Sequence, residues 1–148
     1  MGAQKRKSKK QSEPSLSLQP DDLVFYLDRN LGNHVVASAL REAGEQVEIH
    51  DDHLQPDAPD EDWISLIGQK GWIAITKDRN VRYRVGEFEA IKDNHTKVIV
   101  VRAKNATGSE IAEVLVKYRE RIKKYATRNP PPFIAGIDRW GAIRSYSI

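Results

Sequence analysis

The sequence predicts an α/β domain in three layers, α/β/α, with a mostly parallel sheet between two sets of helices and a β-hairpin at the C-terminal end. Three observations carry this. Leu23–Leu27, Gly71–Thr76 and Lys97–Val101 are short apolar runs rich in β-branched or aromatic residues, as strands covered on both faces are. Between them the apolar residues recur every three or four positions, the spacing of one helix face. The two patterns alternate along the chain, which calls for parallel strands joined by right-handed crossovers.

The elements follow in order. Residues 1–20 are polar and rich in Lys, Ser, Gln and Pro, and read as a disordered basic tail, with 21–148 as the folded domain. After the first strand comes Asp28-Arg29-Asn30-Leu31-Gly32. Asn33 then offers an N-cap to a helix with a stripe of Val35, Val36, Ala39, Leu40 and Ala43, stopped at Gly44. Gln46–His50 reads as a second strand and 51–59, acidic with two prolines, as a loop. A second helix opens near Pro59, with Asp60, Glu61 and Asp62 in the first turn, where negative charge suits the helix dipole; Trp63, Ile64 and Ile67 face inward. The third strand ends at Lys77-Asp78-Arg79-Asn80. A short helix is expected over 87–93, then the fourth strand. Thr107 and Glu110 have capping-box spacing and open one long helix striped by Ile111, Val114, Leu115, Tyr118 and Ile122, which Asn129 and three prolines end. Phe133–Ile137 and Ala142–Ser145 form the hairpin, turning at 138–141.

A chain of 148 residues is long enough for one compact domain with its own core. No apolar run approaches the ~18 residues of a membrane span, and no apolar segment follows the basic N-terminus as in a secretory signal, so a cytoplasmic location is expected. There are no cysteines, which excludes disulfides, thiolate nucleophiles and cysteine zinc sites. Any metal must be held by oxygen or histidine, and hard oxygen ligands favour Mg²⁺ or Mn²⁺. The net charge of +3 is uneven: Lys5, Arg6, Lys7, Lys9 and Lys10 sit together with no acid among them, and the rest of the chain is slightly acidic. A polyanionic partner therefore needs a local basic patch or the tail itself.

In open α/β sheets the working crevice lies beyond the carboxyl ends of the strands. Asp28 follows the first strand directly and Asp78 stands two residues past the third. Asp60 opens the helix that leads into the third strand, on the side where the second strand exits. Topology can therefore gather these three carboxylates at one edge. Converging carboxylates raise one another's pKa unless a cation neutralises them. A divalent ion does so, and can lower the pKa of a bound water and polarise a phosphoryl oxygen, so that no protein nucleophile is needed. Singly, each aspartate is equally a turn residue or an N-cap.

Lys77, Arg79, Arg82 and Arg84, with Tyr83 among them, form either a phosphate-contacting rim beside Asp78 or a solvated loop. Arg119, Arg121, Lys123, Lys124 and Arg128 read as complement to the helix dipole on a solvated face. His50-Asp51-Asp52-His53 matches no strong zinc spacing; Asp52, near the second strand's exit, is a candidate helper carboxylate. Trp63 and Trp72 read as packing, and Trp140 as exposed at a turn tip.

Phe25-Tyr26-Leu27-Asp28-Arg29-Asn30-Leu31-Gly32, Pro59-Asp60-Glu61-Asp62-Trp63 and Ile75-Thr76-Lys77-Asp78 resemble the three signature blocks of small PIN-like domains, most closely those of VapC-type toxins, the ribonuclease halves of toxin–antitoxin pairs. The resemblance spans about Leu23 to Ile137. It implies a metal-dependent single-strand ribonuclease with Mg²⁺ or Mn²⁺, an RNA substrate and an antitoxin partner, and a homodimer is compatible with it. By motif it carries the catalytic and metal-binding acids onto Asp28, Asp60 and Asp78, with Asn30 and Thr76 in support. The endoribonuclease reading of the residues adds Asp52 and Glu61 as helpers, Asn80 in support, and Lys77, Arg79 and Arg82 on the RNA phosphates. Relatives often have Glu where Arg29 stands and a second acid where Asn80 stands, so the site is lean: one tightly held ion, or one plus a second that arrives with substrate. Two rivals remain. One is an inactive PIN-like module that binds RNA or protein. The other is a receiver-like phosphoacceptor, which lacks its acidic pair at Asp28-Arg29.

Overall fold

A computed structural model describes residues 23–31 and 34–148. The tail and the Asn33 cap lie outside these residues. The strands are β1 (Val24–Leu27), β2 (Gln46–Ile49), β3 (Ile73–Thr76), β4 (Lys97–Val101), β5 (Phe133–Ile137) and β6 (Ile143–Tyr146). The helices are α1 (His34–Glu42), α2 (Asp60–Lys70), α3 (Val85–Asn94), α4 (Gly108–Lys117) and α5 (Arg119–Arg128). Single 3-10 turns cover Arg29–Leu31, His50–Asp52 and Val81–Tyr83.

The sheet order is β2-β1-β3-β4-β5-β6, with β6 antiparallel to β5 and every other pairing parallel. Alternation of side chains along each strand splits the core in two. Phe25, Leu27, Ile73, Ile75, Ile99 and Val101 face α1, α4 and α5 through Val36, Leu40, Ile111, Leu115 and Ile122. Tyr26, Ala74, Val98, Val100 and Ile134 face α2 and α3 through Trp63, Ile64, Ile67 and Ile91. This is the three-layer architecture that the apolar runs predict, with its C-terminal hairpin. No helix among the described residues is long and apolar enough to cross a membrane.

The order matters for the site. From β1 the chain goes to β2 on one side and then to β3 on the other, so β1 and β3 border the switch point, where α/β sheets open a crevice. Asp28 and Asp78 leave the sheet there, and the Asp28 N–H still donates to the Ile75 carbonyl at 3.0 Å.

Three expectations change. The long helix is two helices, because Tyr118 leaves helical geometry (φ −108°, ψ 17°) and Arg119 Nη1 takes the Val116 carbonyl at 2.7 Å. The capping box at its start is present, with Thr107 Oγ1 accepting from the Glu110 N–H and Glu110 Oε1 from the Thr107 N–H. The helix expected over 87–93 begins at Val85 and ends at Asn94, where His95 adopts a left-handed conformation. Lys123 is not on a solvated face: it is buried, with Nζ 2.9 and 3.0 Å from the two oxygens of Glu45.

Candidate metal centre

Thr76 organises the β1–β3 edge. It is fully buried, and its hydroxyl donates to Asp28 Oδ2 (2.8 Å) while accepting from Asn30 Nδ2 (3.1 Å) and the Asp78 N–H (3.0 Å). Asn30 Oδ1 accepts the Lys77 N–H at 3.3 Å. One hydroxyl and one amide thus join the ends of two neighbouring strands. Asp28 Oδ1 accepts the Arg29 N–H at 2.7 Å. Burial pushes the Asp28 carboxyl above its ordinary range and the nearby Asp60 charge adds to this, while the Thr76 and Arg29 hydrogen bonds pull the other way.

Asp60, Asp78 and Glu87 each present an oxygen within 4.8 Å of the others. Asp60 sits on the first turn of α2, where Oδ1 accepts from Trp63 Nε1 at 2.9 Å. Asp78 Oδ1 accepts the Asn80 N–H at 3.0 Å, so Asn80 acts through its backbone. Glu87 comes from the first turn of α3 and is only 9% exposed. Its carboxyl is pushed up to about 7, first by burial, then by a hydrogen bond and repulsion from Asp60; Arg84 opposes this. Arg84 donates through Nη1 to Asp78 and to Glu87 Oε1 (3.0 Å), and through Nη2 to Asp78 Oδ1 (3.3 Å).

The fold therefore groups Asp60 and Asp78 with Glu87, and stands Asp28 beside Asp60 outside that close group. Glu87 is the acid that sequence reading missed. It lies within a helix begun two residues earlier than expected, and the available signal was its spacing, three residues past Arg84. Neither helper acid is one of the three grouped carboxylates. Asp52 is exposed on the 3-10 turn that points His50 inward, and is not one of the grouped carboxylates; Asp51 lines the small cavity of about 160 Å³ beside Asp28. Glu61, next to Asp60 on α2, lies against the start of α3 beside Glu87: its Oε2 is 2.7 Å from where a Cβ on Gly86 would stand.

Both ring nitrogens of His50 are hydrogen-bonded. Its Nε2 faces the Gln55 carbonyl at 3.1 Å and must donate, which leaves Nδ1 to accept from the Tyr26 hydroxyl at 2.8 Å. His53 pairs with Glu48 at 2.8 Å. On the basic side, Arg84 is engaged by the carboxylates, whereas no carboxylate pairs with Lys77, Arg79 or Arg82 among the described residues.

An all-oxygen donor set, a Glu87 carboxyl pushed up by burial and by the neighbouring Asp60, and a position at the switch point fit a hard divalent cation. A family model described as "PIN like domain" matches residues 23–103. A curated relative from Mycobacterium tuberculosis, ribonuclease VapC45 by name, is 27% identical over 126 residues, which cover 82% of this chain and 91% of that protein. No solved structure matches.

Proposed function

Because this chain belongs to the PIN-like domain family, we propose that it is a Mg²⁺- or Mn²⁺-dependent endoribonuclease, the toxin of a toxin–antitoxin pair that works in the cytoplasm and is held in check by an antitoxin protein. The observation that carries this reading is the grouping of Asp60, Asp78 and Glu87 beside Asp28 at the β1–β3 switch point. The name of the mycobacterial relative supports the ribonuclease and toxin assignments.

Asp60, Asp78 and Glu87 would hold the ion, with Asp28 beside it. A divalent ion there would supply an activated water and a polarised phosphoryl oxygen. The chain's own residues do the rest. Thr76 and Asn30 fix Asp28 and the turn into Asp78. Lys77, Arg79 and Arg82 would neutralise the phosphates on either side of the scissile bond, with charges that no carboxylate among the described residues takes up. The basic residues of the N-terminal tail gather RNA over longer range.

The test is cleavage of RNA by the pure protein. Parent protein cleaves with Mn²⁺ and stops with EDTA, and Asp28→Asn abolishes cleavage while circular dichroism stays unchanged. Undiminished cleavage by Asp28→Asn would falsify the assignment. RNA binding that persists in EDTA without any cleavage identifies the inactive module instead.

A further inference from the structure

The 3-10 turn Val81–Tyr83 leads away from the carboxylates. The Val81 N–H donates to the Asp78 carbonyl and the Tyr83 N–H to that of Asn80 (2.9 Å), while the buried Val81 side chain anchors the turn. Arg82 then lies against two rings: its Cζ is 4.4 Å from the centroid of Tyr83 and 4.1 Å from that of Tyr146. Tyr146 belongs to β6, beyond β4 and β5 in the sheet, so this contact ties the loop after β3 to the opposite edge.

Two features of this contact go beyond packing. The Arg82 guanidinium has no carboxylate partner among the described residues, although it is fixed in place by two rings. Tyr83 is 63% exposed, on a chain that hides most of its large apolar side chains. A guanidinium held close to two aromatic rings can keep N–H groups for a phosphate, with little rotamer freedom left to lose. An exposed tyrosine ring offers a stacking surface that any base can use.

We propose that Arg82, Tyr83 and Tyr146 form the seat for an unpaired nucleotide of single-stranded RNA, next to the phosphodiester at the carboxylate group. Its base stacks on the open face of Tyr83 and its phosphate is taken by Arg82. The strand then runs from Asp78 toward β6. A base inside a duplex has both faces covered by its neighbours and cannot use this surface, so the seat selects single strands. The proposal rests on the ribonuclease reading for its substrate, and its test separates the two.

The experiment measures binding of a fluorescein-labelled 12-nucleotide RNA, single-stranded or annealed to its complement, by anisotropy. The protein is the full chain with Asp28→Asn, so that nothing is cut. Tyr83→Ala weakens single-strand binding about tenfold and leaves duplex binding unchanged, whereas Tyr83→Trp retains it and its fluorescence is quenched by the single strand. Arg82→Lys, which keeps the charge but loses the planar guanidinium, weakens the single strand by a smaller factor. Equal single-strand affinity in Tyr83→Ala, or equal losses for both RNAs, overturns the proposal. Cleavage by the protein with native Asp28 is scored separately. Tyr83-dependent binding without cleavage keeps the seat and removes the ribonuclease, and cleavage that ignores Tyr83→Ala does the reverse. No RNA binding at all removes both.

Discussion

Glu87 carries a pH dependence whose sign is fixed by its surroundings. Burial and Asp60 favour its neutral form, so its pKa in the fold, about 7, lies above the ordinary 4.5. The neutral carboxyl therefore stabilises the metal-free fold fully below about 4.5, and that contribution is lost as pH rises through about 7. A metal ion requires the ionised form and must displace a proton below 7. Mn²⁺ affinity, measured by calorimetry in buffers of differing ionisation heat, should rise by up to about tenfold from pH 6 to 7, with proton release, and flatten above 8. Glu87→Gln should bind more weakly and lose this slope; an unchanged slope removes Glu87 from the ligand set. None of this was visible in the sequence. Asp28 and Asp78 announce themselves because they end apolar runs, but Glu87 is one acid in a mixed segment, and its burial exists only after α3 packs on α2.

The break between α4 and α5 is covered by a segment far along the chain. Gly141, in the hairpin turn, has φ +86°, and a Cβ there would stand 2.5 Å from the Tyr118 ring. The turn docks on the helix break because residue 141 has no side chain. Gly141→Ala meets both strain and clash, and should cost more than about 1 kcal/mol, lowering the melting temperature by about 3 °C or more. Calorimetry checks this, and an unchanged melting temperature would mean that the turn is not docked in solution. The heptad-like stripe from Ile111 to Ile122 was legible and its interruption was not, since the apolar spacing runs through Tyr118 without a fault. The hairpin itself was legible to within a residue, because Asp138 to Gly141 is turn chemistry. Asp138 Oδ1 accepts the N–H groups of Trp140 and Ala142.

At the scale of the molecule the charges divide their work. On the proposed reading Lys77, Arg79 and Arg82 would contact RNA phosphates, and the basic N-terminal run would add sequence-independent attraction. Removing residues 1–11 should leave the cleavage sites on RNA unchanged. It should lower affinity and flatten the dependence of log K on log salt by about 0.7 for each phosphate that the tail neutralises. A salt titration of RNA binding decides this, and an identical slope gives the tail no part in binding. The architecture was legible because strand and helix patterns alternate cleanly, and the convergence of Asp28, Asp60 and Asp78 on one edge followed from that alternation. Which of them touch did not follow, because contact depends on where α2 and α3 settle. The divided core has a consequence in time. Asp28 and Asp78 are carried by the sheet, whereas Asp60 and Glu87 ride on α2 and α3, which share a hydrophobic cluster of their own. A shared cluster is the kind of unit that opens cooperatively, and we expect this layer to open while the opposite layer stays shut. Each opening parts the acids, and each closing reassembles them. Amide hydrogens of α2 and α3 should thus exchange together, and slow together when an ion holds both halves of the site.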